Sequence, residues 1–213
     1  MSADASRREA LRAAAIAAGA LAAGGLLRPV TASAQSEDQE ALREFLVEAI
    51  ALEQIAALAY ETAAGVNGFE PASQRTFTKL RDQEQAHATA LRSALDSLGF
   101  DPPDPPDSPE DTGVLDDVEG LDDAAASELK STLSELGKIS KPEEYVKYLT
   151  AIEREQRDYY VEFVPGLDSD DLASTCAEIV GNEAQHLVIL RREGGEDPAE
   201  LLSGLESEPS NQG

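Results

Sequence analysis

The sequence predicts an all-α protein, a four-helix bundle with one long crossover between helices two and three. Three observations point to it. Ala, Leu and Glu abound while aromatic residues make up 5% and Trp is absent, a composition that favours helix over sheet. Four segments carry apolar residues at alternating steps of three and four, the pattern of a bundle seam. Two short connections bracket one of about 40 residues, enough to carry the chain from one end of a bundle to the other.

The first 34 residues read as an address. Ser6-Arg7-Arg8-Glu9-Ala10-Leu11-Arg12 is a charged start, followed by an apolar run from Ala13 to Leu27 that is too short for a comfortable membrane span. Ala32-Ser33-Ala34 then supplies a small-x-small cleavage pattern. The paired arginines resemble a twin-arginine (Tat) export signal, departing from it in having Ala10, with Leu11 next, where an aromatic residue or Leu is usual two positions after the second Arg. This reading implies passage through the Tat export machinery to the periplasm, the cell envelope or the outside.

Residues 35–194 form the expected domain. Helix one is Asp38 to about Ala64, with stripe Leu42, Leu46, Ala49, Glu53, Ala56, Tyr60. Helix two is about Ala72 to Leu98, with stripe Phe77, Leu80, Glu84, His87, Leu91. The Asp- and Pro-rich run from Gly99 to Pro109 cannot be helix interior and reads as a stiff, exposed spacer. A minor helix from Asp122 to Leu136 lies within the linker, about residues 100–140. Helix three is Pro142 to about Val164, with stripe Val146, Leu149, Glu153, Gln156, Tyr160. Helix four is about Ser169 to Arg192, with stripe Leu172, Cys176, Ile179, Glu183, His186, Leu190. Ser169, Asp170 and Asp171 suit its N-terminus, and Gly194-Gly195 its stop. Residues 195–213 read as a short helix, Pro198 to Leu205, and a polar tail.

Glutamates on these seams are abnormal, because a carboxylate taken out of water must be paired or protonated. Yet each of the four stripes carries one near its middle: Glu53, Glu84, Glu153 and Glu183. Helices two and four also place a histidine three residues after the Glu, at His87 and His186, so that both side chains leave one helix face. These are the only two histidines in the chain. The halves also repeat. Leu52-Glu53 with Tyr60 matches Ile152-Glu153 with Tyr160 at an offset of 100, and Glu84, His87, Leu91-Arg92 matches Glu183, His186, Leu190-Arg191 at an offset of 99. A pseudo-twofold bundle brings four carboxylates and two imidazoles to its centre.

This constellation resembles the ferritin-like superfamily, specifically its dinuclear-carboxylate members, which carry Glu on the first and third helices and Glu-x-x-His on the second and fourth. The resemblance covers about residues 38 to 194. It implies two metal ions, with Glu53 and Glu153 as terminal carboxylates, Glu84 and Glu183 as bridging ones, and His87 and His186 as one imidazole on each metal. Four carboxylates balance two divalent cations, and hard oxygen ligands with one imidazole per ion suit iron or manganese, iron foremost. The pattern also resembles rubrerythrins, including the Tyr seven residues after the first Glu. It departs from them in having Gln156 where they carry a further Glu, and only Cys176 in place of a Cys-rich rubredoxin domain. The form looks most like exported single-domain bacterial ferritin-like proteins.

The implied function is a dinuclear metal oxidoreductase, in which bound ferrous ions are oxidised by O2 or H2O2, in ferroxidase or peroxidase fashion, with an unidentified reductant. No catalytic residue separate from the metal ligands is needed. The alternative is a non-enzymatic metal-binding or stress-protective envelope protein. Tyr60, Tyr160 and Gln156 are candidates to hydrogen-bond the ligands. Cys176 reads as a small buried apolar residue. The sequence leaves an oligomer open.

Charge excludes several other classes. Seventeen Lys and Arg against 42 Asp and Glu give −25, and the first 34 residues, at +2, leave −27 for the rest. Such a chain is no general nucleic-acid binder and does not dock on anionic membranes. A single cysteine rules out an intrachain disulfide framework.

Overall fold

The computed structural model describes residues 32–116, 118–167 and 169–196. Five α-helices occupy them: α1 (Ala32–Ala64), α2 (Pro71–Ser97), α3 (Asp123–Leu136), α4 (Pro142–Phe163) and α5 (Asp170–Glu193). Short 3-10 turns lie at Thr112–Leu115 and Val164–Gly166. There is no strand among the described residues, and no helix there is long and apolar enough to cross a membrane. The expected last helix, Pro198 to Leu205, lies outside the described residues, as does nearly all of the N-terminal address. Its final residues are an exception: α1 begins at Ala32 and so runs through the expected cleavage position.

Local chemistry sets the helix ends. Pro71 and Pro142 open α2 and α4, where the missing N–H is not needed. Asp122 caps α3 by accepting from the Ala125 N–H at 2.8 Å, and Ser169 caps α5 by accepting from Leu172. Asp170 and Asp171 at the start of α5, with Arg191 and Arg192 at its end, complement the helix dipole. Gly195 then takes a φ of +87°, which ends the helix as other residues rarely can.

The helix pair α1–α2 packs against α4–α5, with α1 lying along α4 and α2 beside α5. Two apolar clusters fill the interior. One holds Ile55, Phe77, Leu80, Leu149, Ile152 and Leu190, with Leu129, Leu133 and Leu136 of α3 closing it. The other holds Phe45, Ile50, Leu91, Leu95, Leu172, Cys176 and Ile179. On α2, α4 and α5 the apolar residues of the two clusters are separated by Glu84 and His87, by Glu153 and Gln156, and by Glu183 and His186. The polar layer therefore lies across the waist of the bundle.

The crossover departs from the expected exposed spacer. Asp101, Asp104 and Asp107 face solvent while Pro103 and Pro106 are buried. A period of three is that of an extended proline-rich helix, which turns the same face inward every third residue. The Pro103 carbonyl accepts from Gln54 Nε2 at 3.1 Å and from Arg92 at 2.5 Å, tying the strap to α1 and α2. Farther along, Arg43 pairs with Glu119 and lies over the Phe100 ring at 5.0 Å. Gly120, at φ +90°, lets the chain pass there, since a Cβ would come within 3.2 Å of Arg43.

Candidate metal centre

The six residues singled out by pattern converge. Glu53 on α1, Glu84 and His87 on α2, Glu153 on α4, and Glu183 and His186 on α5 are all buried, each of the four glutamates with 0% exposure. They form two overlapping groups in which one ligand atom per residue lies within 4.8 Å of the others: Glu53, Glu84, His87 and Glu183, and Glu84, Glu153, Glu183 and His186. Glu84 and Glu183 belong to both. The imidazoles stack at a centroid separation of 6.2 Å and an interplanar angle of 20°.

Each imidazole turns Nδ1 inward. His186 Nδ1 lies 2.9 Å from Glu84, 3.2 Å from Glu153 and 3.5 Å from Glu183. His87 Nδ1 lies 3.2 Å from Glu183, 3.3 Å from Glu53 and 3.8 Å from Glu84. A ring nitrogen carries at most one proton, so it cannot serve three carboxylates at once. Accordingly Glu84 Oε1 and both oxygens of Glu183 lack a well-aligned hydrogen bond despite full burial.

The tyrosines cross between the halves. Tyr60 on α1 donates to Glu153 on α4, and Tyr160 on α4 donates to Glu53 on α1 at 2.5 Å. Gln156 Nε2 lies 3.4 Å from Glu84 Oε2. Cys176 is buried in the apolar cluster at one end, and burial pushes its thiol up to about 12.

Two further residues, which the sequence pattern does not single out, meet the histidines from outside. Gln83 Oε1 lies 3.1 Å from His186 Nε2 and can accept its proton, whereas at His87 it is Asn182 Nδ2 that lies 3.0 Å from Nε2, so the matching bond there forms with the amide turned to present its oxygen. Each motif's histidine is thus held by the amide immediately before the other motif's glutamate. The signal was present, because Gln83 and Asn182 match at the same offset of 99. Only the packing of α2 beside α5 shows what they touch.

Protonation completes the electrostatics. Burial and the charge of Glu84 raise Glu53 well above the usual carboxylate range, and the same two causes raise Glu153. Burial also opposes ionisation of Glu183 and Glu84, but the protons that neighbouring acids and imidazoles bring close to them, even poorly aligned, outweigh it. They draw Glu183 down to about 2 and lower Glu84. Desolvation works against charged imidazoles, yet the surrounding carboxylates lift both to about 12. Two imidazolium ions then offset the charge of Glu84 and Glu183, while burial favours a proton on Glu53 and on Glu153. Protons on these groups hold together what divalent cations would hold instead.

The donor set fits a pair of such cations. It offers hard oxygens with one imidazole nitrogen per group, two carboxylates shared between groups, and buried oxygens left short of donors. A family model described as a ferritin-like domain matches residues 43–196, a span that includes all six residues. Comparison with curated proteins and with solved structures gives no significant match.

Proposed function

The chain belongs to the ferritin-like domain family, and from that premise we propose that it is a dinuclear iron or manganese protein that oxidises bound ferrous ion with O2 or H2O2. The observation that carries this reading is the sharing of Glu84 and Glu183 by both ligand groups, which suits two ions side by side and not a single one. His87 with Glu53 would complete one ion's ligands, and His186 with Glu153 the other's. When bound, the metals supply the redox chemistry, and the protein supplies geometry and charge.

The chain's own residues have distinct tasks. Nδ1 of each histidine faces the site because Gln83 and Asn182 engage Nε2. Tyr60 and Tyr160 orient the terminal carboxylates through their phenols. Apolar clusters above and below exclude water, which strengthens every charge interaction between them. Glu53 and Glu153 can give up their protons as cations enter, so the site stays near electrical balance.

Export by the Tat route is part of this proposal, supported by Arg7-Arg8, the apolar run and Ala32-Ser33-Ala34. A folded protein can then receive its metals before crossing the membrane. The test is elemental analysis of the natively produced protein, followed by anaerobic ferrous loading and mixing with O2 or H2O2. Two metals per chain with rapid peroxide or O2 consumption support the reading. Two metals without any such reaction leave the metal-retaining alternative, and no metal defeats both.

A further inference from the structure

We propose that Tyr160 and Tyr159 form a one-electron path from the metal centre to the bundle surface, with Glu48 taking the proton that Tyr159 sheds. This rests on the dinuclear oxidation reading above, and one arm of its test is independent of that reading.

The argument begins with a broken symmetry. Tyr60 and Tyr160 are equivalent at the offset of 100, and each donates to the opposite half's glutamate. Beyond them the halves differ. Tyr160 is followed outward by Tyr159, at a centroid distance of 6.2 Å in an edge-on arrangement. The residue matching Tyr159 in the first half is Ala59, and the one matching Phe163 is Ala63. Tyr60 instead packs on Phe77, which packs on Phe69, at 6.1 and 4.8 Å. Those rings carry no hydroxyl and do not readily give up an electron, so the Tyr60 side is a dead end.

Tyr159 is only half-buried, whereas Tyr160 is buried beside the ligands. The Tyr159 hydroxyl lies 3.1 Å from Glu48 Oε2 and 3.4 Å from the Phe45 carbonyl. Phe45 and Phe163 hold its ring in place, with centroids 5.4 and 5.5 Å away. A phenol loses an electron readily only when its proton can leave at the same time, and a carboxylate within hydrogen-bond reach receives it. Tyr148, by contrast, donates to the Thr132 carbonyl, which cannot accept a proton in this way.

The step balances with peroxide as the oxidant. Hydrogen peroxide takes two electrons and two protons as its O–O bond breaks, giving two waters. When one ferrous ion is present in place of two, that ion supplies one electron. The other leaves Tyr159 by way of Tyr160, while the Tyr159 O–H bond breaks and its proton moves to Glu48. One ferrous ion and one phenol are oxidised to a ferric ion and a phenoxyl radical, and solvent supplies the two protons consumed. A one-electron donor at the surface then restores Tyr159. The second electron thus comes from a defined place, and no hydroxyl radical is left to diffuse away.

The test uses the full chain with one ferrous equivalent and one equivalent of H2O2, followed by freeze-quench electron paramagnetic resonance. A tyrosyl radical is expected, reduced quickly by an added cationic ferrocene. In Tyr159→Phe the radical should persist at Tyr160, its proton passing to Glu53 along the bond it already donates, and its reduction should slow about tenfold, while peroxide consumption with two ferrous equivalents stays as in the unaltered protein. In a second arm, metal-free protein is oxidised by photogenerated ruthenium(III) tris-bipyridine. Tyrosyl yield should fall about fivefold in both Tyr159→Phe and Glu48→Gln. Oxidised iron without a tyrosyl signal, an unchanged reduction rate in Tyr159→Phe, or equal yields in the second arm overturns the path. If iron is not oxidised at all, the dinuclear reading fails and the ruthenium arm alone decides the path.

Discussion

Nε2 of His186, on α5, lies 3.1 Å from Oε1 of Gln83, on α2, which leaves Nδ1 as the atom directed at Glu84, Glu153 and Glu183. The imidazole is therefore held from outside the ligand cage by a helix other than its own. Its ring orientation and the nitrogen that carries the outer proton are both specified by a neutral amide.

That relationship predicts a loss of metal affinity on removing an amide. Gln83→Leu should weaken binding of the second metal by roughly tenfold to a hundredfold, because an unheld imidazole loses orientation and basicity. Asn182→Leu should do the same at His87. Competition against a chelator of known affinity, with melting of the metal-free protein as a control for folding, checks both.

The shared carboxylates predict a stoichiometry. Glu84→Gln or Glu183→Gln should abolish both metals, since each residue belongs to both ligand groups. Glu53→Gln or Glu153→Gln should leave one metal per chain, because each serves one group. Metal content measured after desalting separates the two classes. Equal losses across all four would show that the cage behaves as a single unit.

Proton linkage predicts opposite pH trends for the two states of the protein. The imidazoles rise from 6.5 in the unfolded chain to about 12, so their stabilisation is fully present below pH 6.5 and fades as pH climbs toward 12. Glu53 and Glu153 rise above 4.5, so they hold protons in the fold that the unfolded chain has already lost, and they too cost stability as pH increases. The metal-free protein should therefore lose unfolding free energy as pH goes from about 5 to 9, by up to about 1.4 kcal/mol per pH unit for each proton, and melt at lower temperature. Metal binding should tighten over the same range and release up to about four protons per pair of ions. Calorimetry in buffers of different ionisation enthalpy counts them.

The strap predicts a structural effect away from the metals. Gln54 is buried and donates to the Pro103 carbonyl, so Gln54→Leu should cost about 1 kcal/mol and loosen the crossover. Amide exchange in the segment around Asp101 to Asp111 should quicken, while Glu53 keeps its bond from Tyr160. A global loss of protection would instead place Gln54 in the core's cooperative unit.

The bundle and its polar layer were legible because both depend on periodicity within single helices. Leu42, Leu46, Ala49 and Glu53 fall on one stripe whatever the neighbours do, and Glu84 with His87 share a helix face by geometry alone. A carboxylate on an apolar stripe announces that something must compensate it, which is why Glu53, Glu84, Glu153 and Glu183 stood out together. The repeat at 99 and 100 residues added that the two halves face each other.

Tertiary structure alone decided what crosses between helices. Gln83 and Asn182 sit among exposed polar residues, and no spacing distinguishes an amide that grips an imidazole from one that meets water. Tyr159 beside Glu48, and Pro103 beneath Gln54 and Arg92, depend on chain segments distant in sequence arriving at one place. The physical reason is range. Helix formation and amphipathic patterning act over a few residues, so the sequence displays them directly, whereas a hydrogen bond between two helices exists only once their relative height and rotation have been set by packing of the whole core.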